Sequence, residues 1–156
     1  MKLRLLAAGT RLPQWVNDAY SHYAQRIGAD LKCELLEIPV AARGPNADIA
    51  RAMAREGEAM LRVVRPDDFV VALDVVGTTM NTEELARWLG TRMQEGRDLS
   101  FLIGGPDGLA PACRARADLR LSFSALTFPH GLVRVLLAEQ LYRALSLIRG
   151  HPYHRG

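Results

Sequence analysis

Ile103-Gly104-Gly105-Pro106-Asp107-Gly108-Leu109 follows an apolar run at residues 99–103, and the abrupt change from run to glycine cluster sets the reading of the whole chain. Paired glycines let a ligand or another backbone lie directly against the main chain, and Pro106 fixes the turn. A break of this kind at the end of a strand belongs to the carboxyl edge of an α/β sheet, where ligands bind. On either side the same apolar, β-branched-rich composition returns, at residues 2–8, 33–40, 69–74 and 119–123, with segments of helical period between. Pro13 opens the first helix, and Trp15, Ala19, Tyr23 and Arg26-Ile27 form its stripe until Gly28. The second follows the loop Arg43-Gly44-Pro45-Asn46, with Asn46 or Asp48 as N-cap and Ile49, Met53, Met60 and Leu61 as its inner face. Asn81-Thr82-Glu83-Glu84 has the capping-box form and starts the third, which turns Leu85, Trp88, Leu89 and Met93 inward before Gly96. Trp15 and Trp88, both on apolar stripes, are expected in the core. The last and longest helix runs over about Leu132–Ile148. Strands alternating with helices predict a three-layer α/β/α domain with a mostly parallel sheet of about five strands. No Gly-, Ser- or Pro-rich linker and no internal repeat divides it, so residues 1–156 are expected to form one domain.

At 156 residues and 49% hydrophobic content the chain can bury an ordinary core without disulfides or metals. Cys33 and Cys113 lack the close spacing of a metal knuckle or a redox pair, so two reduced thiols and no metal are expected, as suits a cytoplasmic protein. The N-terminal apolar run stops at Gly9-Thr10, and no stretch reaches the ~18 apolar residues of a membrane span. The net charge is +3, unevenly placed. Residues 110–156 hold seven Arg against Asp118 and Glu139, a net of +5, which makes the C-terminal end a candidate polyanion-facing surface.

Three strand-end loops are candidates for chemistry. Leu73-Asp74 leads into Val75-Val76-Gly77-Thr78-Thr79, and Asp74 serves equally well as a ligand group or as a cap for the next turn. The glycine loop is neither GxGxxG nor a P-loop, since no Lys follows it, which counts against a dinucleotide or nucleoside triphosphate. Phe123-Ser124-Ala125-Leu126-Thr127-Phe128-Pro129-His130-Gly131 is uncharged up to His130 and suits a heteroaromatic ring held by main-chain bonds and apolar side chains. His130 lacks a metal-type companion and is expected to cap or pack.

The strings LIGGPDGL, LSFSALTFPHGLVRVLLAEQLYRA and the terminal HPYHR resemble the SPOUT-class RNA methyltransferases, and within them the ribosomal RNA large subunit methyltransferase H family. KLRLLAAGT, ELLEIP, RGPNADI and VALD extend the resemblance over nearly the whole chain. It implies S-adenosyl-L-methionine as cofactor and methylation of N3 of a pseudouridine in 23S rRNA, on assembled ribosomes. It also implies a C-terminal trefoil knot that encloses the cofactor. By position Leu73, Gly104, Gly105 and the segment Phe123, Ser124, Ala125, Leu126, Thr127 and Phe128 are then the cofactor contacts. A homodimer is implied too, and the apolar positions of the last helix exceed what one buried stripe needs. The tail offers His151, Tyr153, His154 and Arg155, and Arg134 and Arg143 lie on the helix before it. His154, or a water it orients, is expected to assist deprotonation, with Tyr153 and Arg155 positioning the uridine and its phosphate. The loop at Arg43 is a further candidate for rRNA contact. The rival readings are a non-catalytic RNA-binding module and a small nucleotide-binding oxidoreductase, and neither accounts for the loop and tail strings together.

Overall fold

A computed structural model describes residues 1–28, 31–41 and 43–155, with His154 by its backbone alone. The elements run β1 (Lys2–Ala8), α1 (Gln14–Ile27), β2 (Lys32–Ile38), α2 (Ile49–Arg62), β3 (Phe69–Thr79), α3 (Thr82–Glu95), β4 (Leu99–Ile103), α4 (Pro111–Arg116), β5 (Leu119–Ser122) and α5 (His130–Ile148). A 3-10 turn at Pro152–Arg155 closes the chain's described part.

All strand pairs are parallel, in the order β2-β1-β4-β3-β5. The alternation of side chains divides the sheet's two faces. Leu3, Leu5 and Ala7 of β1 join a core with α1, α3 and α5, whereas Leu6 and Ala8 join a second core beneath α2 and α4. The crossovers β1 to β2 and β3 to β4 move one way through α1 and α3 on the first face. Those from β2 to β3 and β4 to β5 move the other way on the opposite face, as a single crossover handedness demands. The three-layer α/β/α architecture expected from the sequence is therefore present, and its strand order is consistent with the trefoil threading. β4 lies at the centre and is buried at every position, which explains its apolar composition outside Ser100.

Local signals explain the helix boundaries. Asn81 accepts from the Glu84 N–H and Glu84 reciprocates to the Asn81 N–H, completing the capping box, and Asp48 caps α2 through the Arg51 N–H. Several expectations need correction. Trp15 is 58% exposed; α1 buries Val16, Tyr20 and Ile27, with Ala19 and Tyr23 half-buried against the same core, so the expected stripe fails at Trp15 and Arg26 and holds at Ala19, Tyr23 and Ile27. Ile49 is likewise exposed, and α2 buries Ala52, Glu56, Gly57 and Met60. Trp88 does pack in the core, edge-on to Phe69 and Phe101. α5 lies over the sheet between α1 and α3 and buries Val135, Leu141 and Leu145 there, while Leu132 and Leu136 are half-buried and Ile148 is exposed. The short α4 carries too few residues to show a period and was not legible in advance.

One polar group is sealed inside the amino-terminal edge of the sheet. Arg4 of β1 donates to Asp68 at 2.9 Å, Ser100 of β4 donates to the same carboxylate oxygen at 2.9 Å, and both charged side chains are at most 5% exposed. Removing one partner strands the other charge, so Asp68→Ala is expected to lower stability by about 3–5 kcal/mol. Urea unfolding checks this, and a loss below about 1 kcal/mol would contradict it.

Candidate active site

β3, β4 and β5 end side by side, and their loops enclose a cavity of about 550 Å³. β3 supplies the first wall. After Leu73 it leaves the ladder and re-enters at Thr78, so that both residues pair with Leu121 of β5 and the stretch between bulges outward. The expected loop after residue 74 is thus partly strand. Gly77 makes the re-entry feasible, because a Cβ there would lie 2.7 Å from the Arg120 carbonyl group. Leu73 and Asp74 face the cavity, with Val75 and Val76 at the bulge.

β4 supplies the second wall through Gly104 and Gly105. A Cβ on Gly104 would stand 2.4 Å from the Gly108 carbonyl carbon and 2.6 Å from the Leu109 nitrogen, so the loop can fold back on itself only over glycine. Gly108 N–H donates to the Gly105 carbonyl at 3.0 Å and closes that turn. The third wall is the loop after β5. Phe123, Ser124, Leu126, Thr127 and Phe128 line the cavity, whereas Ala125 is exposed and does not. Ser122 Oγ donates towards the Val75 and Ser124 carbonyls, at 2.9 and 3.1 Å, and ties this loop to the β3 bulge. An apolar cavity of about 420 Å³ between α3 and α5 shares Leu121, Phe123 and Phe128 with it but has no strand-end glycines.

The charged groups around the cavity are mostly committed to the protein. Arg134, expected among the tail's chemistry, is fully buried: it donates to Glu37 at 2.7 Å and to the Gly9 carbonyl at 3.1 Å, tying α5 to the ends of β1 and β2. Arg43 is no free phosphate contact either. It donates to Glu56 at 2.7 Å and to Asp107 at 2.8 Å, fastening its loop to α2 and to the glycine loop. The basic C-terminal third is therefore partly an internal scaffold, with Arg120 and Arg155 exposed. Asp74 caps its own turn and pairs with Arg114 of α4, whose Nε lies 3.2 Å from Oδ2. Its Oδ1 accepts from the Val76 N–H at 3.2 Å while the side chain lines the cavity.

His130 makes no helix cap; it packs over Gly9, where an added Cβ would lie 3.0 Å from Nε2, and lines the cavity. Burial, and after it the charge of Arg134, pushes its imidazole below the ordinary value of 6.5, with Glu56 pulling weakly the other way. The unfolded chain then takes up the proton first. This contribution to stability is complete above about pH 6.5 and is lost as pH falls towards the depressed value. His130→Gln is expected to flatten the fall in thermal midpoint between about pH 7 and 5, and an unchanged slope would refute the assignment.

The tail is docked on α5. Tyr153 donates to Glu139 at 3.2 Å, its ring lies 4.5 Å from that of Tyr142, and the Arg143 guanidinium sits 4.9 Å over it. Arg143 itself is paired with Glu139 at 2.7 Å. Burial first, and the Glu139 charge second, push the Tyr153 hydroxyl up to about 12, so at neutral pH it is a donor and not a base. Glu139 stands six and nine residues beyond Val133 and His130, which is ~9 and ~14 Å along the helix and a third to a half turn around it. None of the described tail residues lines the cavity. Arg155 is exposed, and the side chain of His154 lies outside the described residues.

Among the described residues no cluster of metal-ligating side chains occurs, and no helix is long and apolar enough to cross a membrane. A family model described as "Predicted SPOUT methyltransferase" matches residues 1–154. The chain is 57% identical to the "Ribosomal RNA large subunit methyltransferase H" of Thioalkalivibrio sulfidiphilus, over 99% of each chain. It is 56% identical to the protein of the same name from Alkalilimnicola ehrlichii, again over 99% of each. A solved putative methyltransferase from Legionella pneumophila, with cofactor SAM bound, superposes with a TM-score of 0.49 at 10% identity, covering 92% of this chain and 66% of that one.

Proposed function

This chain belongs to the SPOUT methyltransferase family, and from that premise we propose that it transfers the methyl group of S-adenosyl-L-methionine to N3 of a pseudouridine in 23S rRNA. Its substrate is the assembled ribosome, its working form a homodimer and its place the cytoplasm. The observation that carries the reading is the cavity at the ends of β3, β4 and β5, built from the segments expected to hold the cofactor.

The cavity fits that group in size, falling within the ~300–1,000 Å³ common for small-molecule sites. It fits in chemistry too. The loop Phe123–Phe128 offers an uncharged aromatic and main-chain surface for a base, and the glycine wall lets a ligand lie on backbone. The cofactor brings a methyl group on a cationic sulfonium, an activated donor. The protein's share is to align the acceptor nitrogen and to accept the imide proton it loses. Gly104 and Gly105 keep the wall free of side chains, Leu73, Phe123 and Phe128 supply its apolar surface, and Arg134 holds the Gly9 turn beside His130. Tyr153 and Arg155 position the uridine and its phosphate, with His154 or a water it orients receiving the proton.

The tail lies round the helix from its own cavity, so these groups serve the cavity of a second subunit. Labelled S-adenosylmethionine, purified protein and ribosomes from a strain lacking this activity test the function. The expected result is one methyl on a pseudouridine of large-subunit rRNA. Label in free rRNA alone would contradict the ribosome as substrate, and no label would contradict the transfer.

A further inference from the structure

We propose that Arg43 is a positioning residue of the cavity: by tying Asp107 to Glu56 it holds the glycine loop in the shape on which the adenosyl ligand lies. The inference rests on the cavity being the S-adenosylmethionine site. One guanidinium joins three segments. Its Nη1 donates to the Ala41 carbonyl at 2.8 Å, within its own loop between β2 and α2. Nη1 and Nη2 also grip the Glu56 carboxylate of α2, at 2.7 and 3.2 Å, and Nε donates to Asp107 Oδ2 at 2.8 Å. Glu56 is only 6% exposed, and its Oε1 packs against Gly105, where an added Cβ would meet it at 3.4 Å. Asp107 is among the residues lining the cavity. Arg43 thus bridges the helix behind the glycine wall to a residue of the wall itself. Among the described residues, no other side-chain hydrogen bond reaches residues 104–108 from another segment.

The tie matters because of what the loop is made of. Three of the five residues from Gly104 to Gly108 are glycine, which leaves the backbone freer than any other residue does. Unanchored, such a loop samples many shapes, and a ligand that needs one of them binds more weakly by the fraction of time spent in the others. Stability alone does not call for the bond to Asp107. That carboxylate is 31% exposed, where an ion pair adds little to folding, and Glu56 already gives the guanidinium a buried partner. The Nε bond therefore acts on the placement of the cavity wall. A lysine could not replace it, since one ammonium lacks the planar fork that meets two carboxylates at once.

The test is calorimetric titration of the full chain with S-adenosylhomocysteine, for the parent, Arg43→Ala, Asp107→Ala and the double variant, beside hydrogen exchange of the ligand-free proteins. Each single variant is expected to lose affinity about tenfold, and the double variant to lose no more than the weaker single, because both remove the same tie. Amides of residues 107–109 are expected to exchange faster in both single variants. In Asp107→Ala, where Glu56 keeps its partner, that change is confined to the glycine loop. Should Arg43→Ala fail to fold, Arg43→Lys, which keeps a charge beside Glu56, takes its place in the cycle. Losses that add in the double variant overturn the inference, since Asp107 then meets the ligand independently of Arg43. Parental affinity in either single variant, or parental exchange at the glycine loop, also overturns it while leaving the cofactor site standing. A parent that binds no S-adenosylhomocysteine overturns the cofactor site itself, and the inference with it.

Discussion

Gly104→Ala is expected to abolish S-adenosylhomocysteine binding in calorimetry and to reduce methyl transfer by at least ~100-fold, because the wall of the cavity cannot accept one more carbon. The added Cβ would stand 2.4 Å from the Gly108 carbonyl carbon and 2.6 Å from the Leu109 nitrogen. Both are backbone atoms, so no side-chain rotation relieves the contact; the loop itself has to open. Overpacking of this kind costs about 1–3 kcal/mol in stability, a loss that a complete sheet survives. Displacement of the wall by about 1 Å is far more damaging to a ligand seated on it, since alignment of reacting atoms is lost. Gly105→Ala is the control. Its Cβ would meet Ala8 Cβ and Glu56 Oε1 at 3.4 Å, an ordinary contact, and the variant is expected to keep parental stability within about 0.5 kcal/mol. Parental binding by the Gly104→Ala protein would show that the ligand does not lie against this wall.

Mixing two inactive proteins is expected to restore activity. One carries Gly104→Ala, which spoils the cavity; the other carries Tyr153→Ala with Arg155→Ala, which spoils the tail. If each tail serves the partner's cavity, the mixed dimer holds one complete site. Random exchange of subunits then gives roughly a quarter of the parental sites. The expectation follows from geometry, because Tyr153 is anchored to Glu139 while the cavity faces a different side of α5. Recovery of activity on mixing, measured on ribosomes, would establish the shared site. Absence of recovery, with each variant folded and inactive alone, would place the tail's action within its own chain. Full activity of the tail variant alone would remove the tail from the chemistry.

Much of the fold was legible in the residues. The five strand runs, the capping box at Asn81-Glu84 and the glycine stop at Gly96 are local signals, and each appears where periodicity and capping chemistry put it. The cavity loops were legible for the same reason. Glycines and an uncharged loop after strand ends are visible in order along the chain, and of the segment Phe123–Phe128 only Ala125 turns away. Side chains whose role depends on distant partners were not legible. Arg134 looks like one more basic residue of a C-terminal surface, yet it is sealed by Glu37, ninety-seven positions away. Arg43 looks like a loop cation, and Asp107, sixty-four positions away, converts it to a clamp. The stripe of α1 failed at its start, where Val16 and not Trp15 turns inward, because spacings of three and four admit either residue and only the docked α5 chooses between them.

The sequence by itself determined the alternation of strand and helix, the single α/β sheet, the loops that line the cavity and the family to which the chain belongs. These follow from interactions within a turn or a strand, which the order of residues displays directly. Only the tertiary structure decided that Asp74 pairs with Arg114, that Arg134 and Arg43 are internal ties, and that Tyr153 docks on Glu139 of its own helix α5. Burial of a charge and the direction of a side chain depend on groups brought together by folding, and their separation along the chain leaves no local trace.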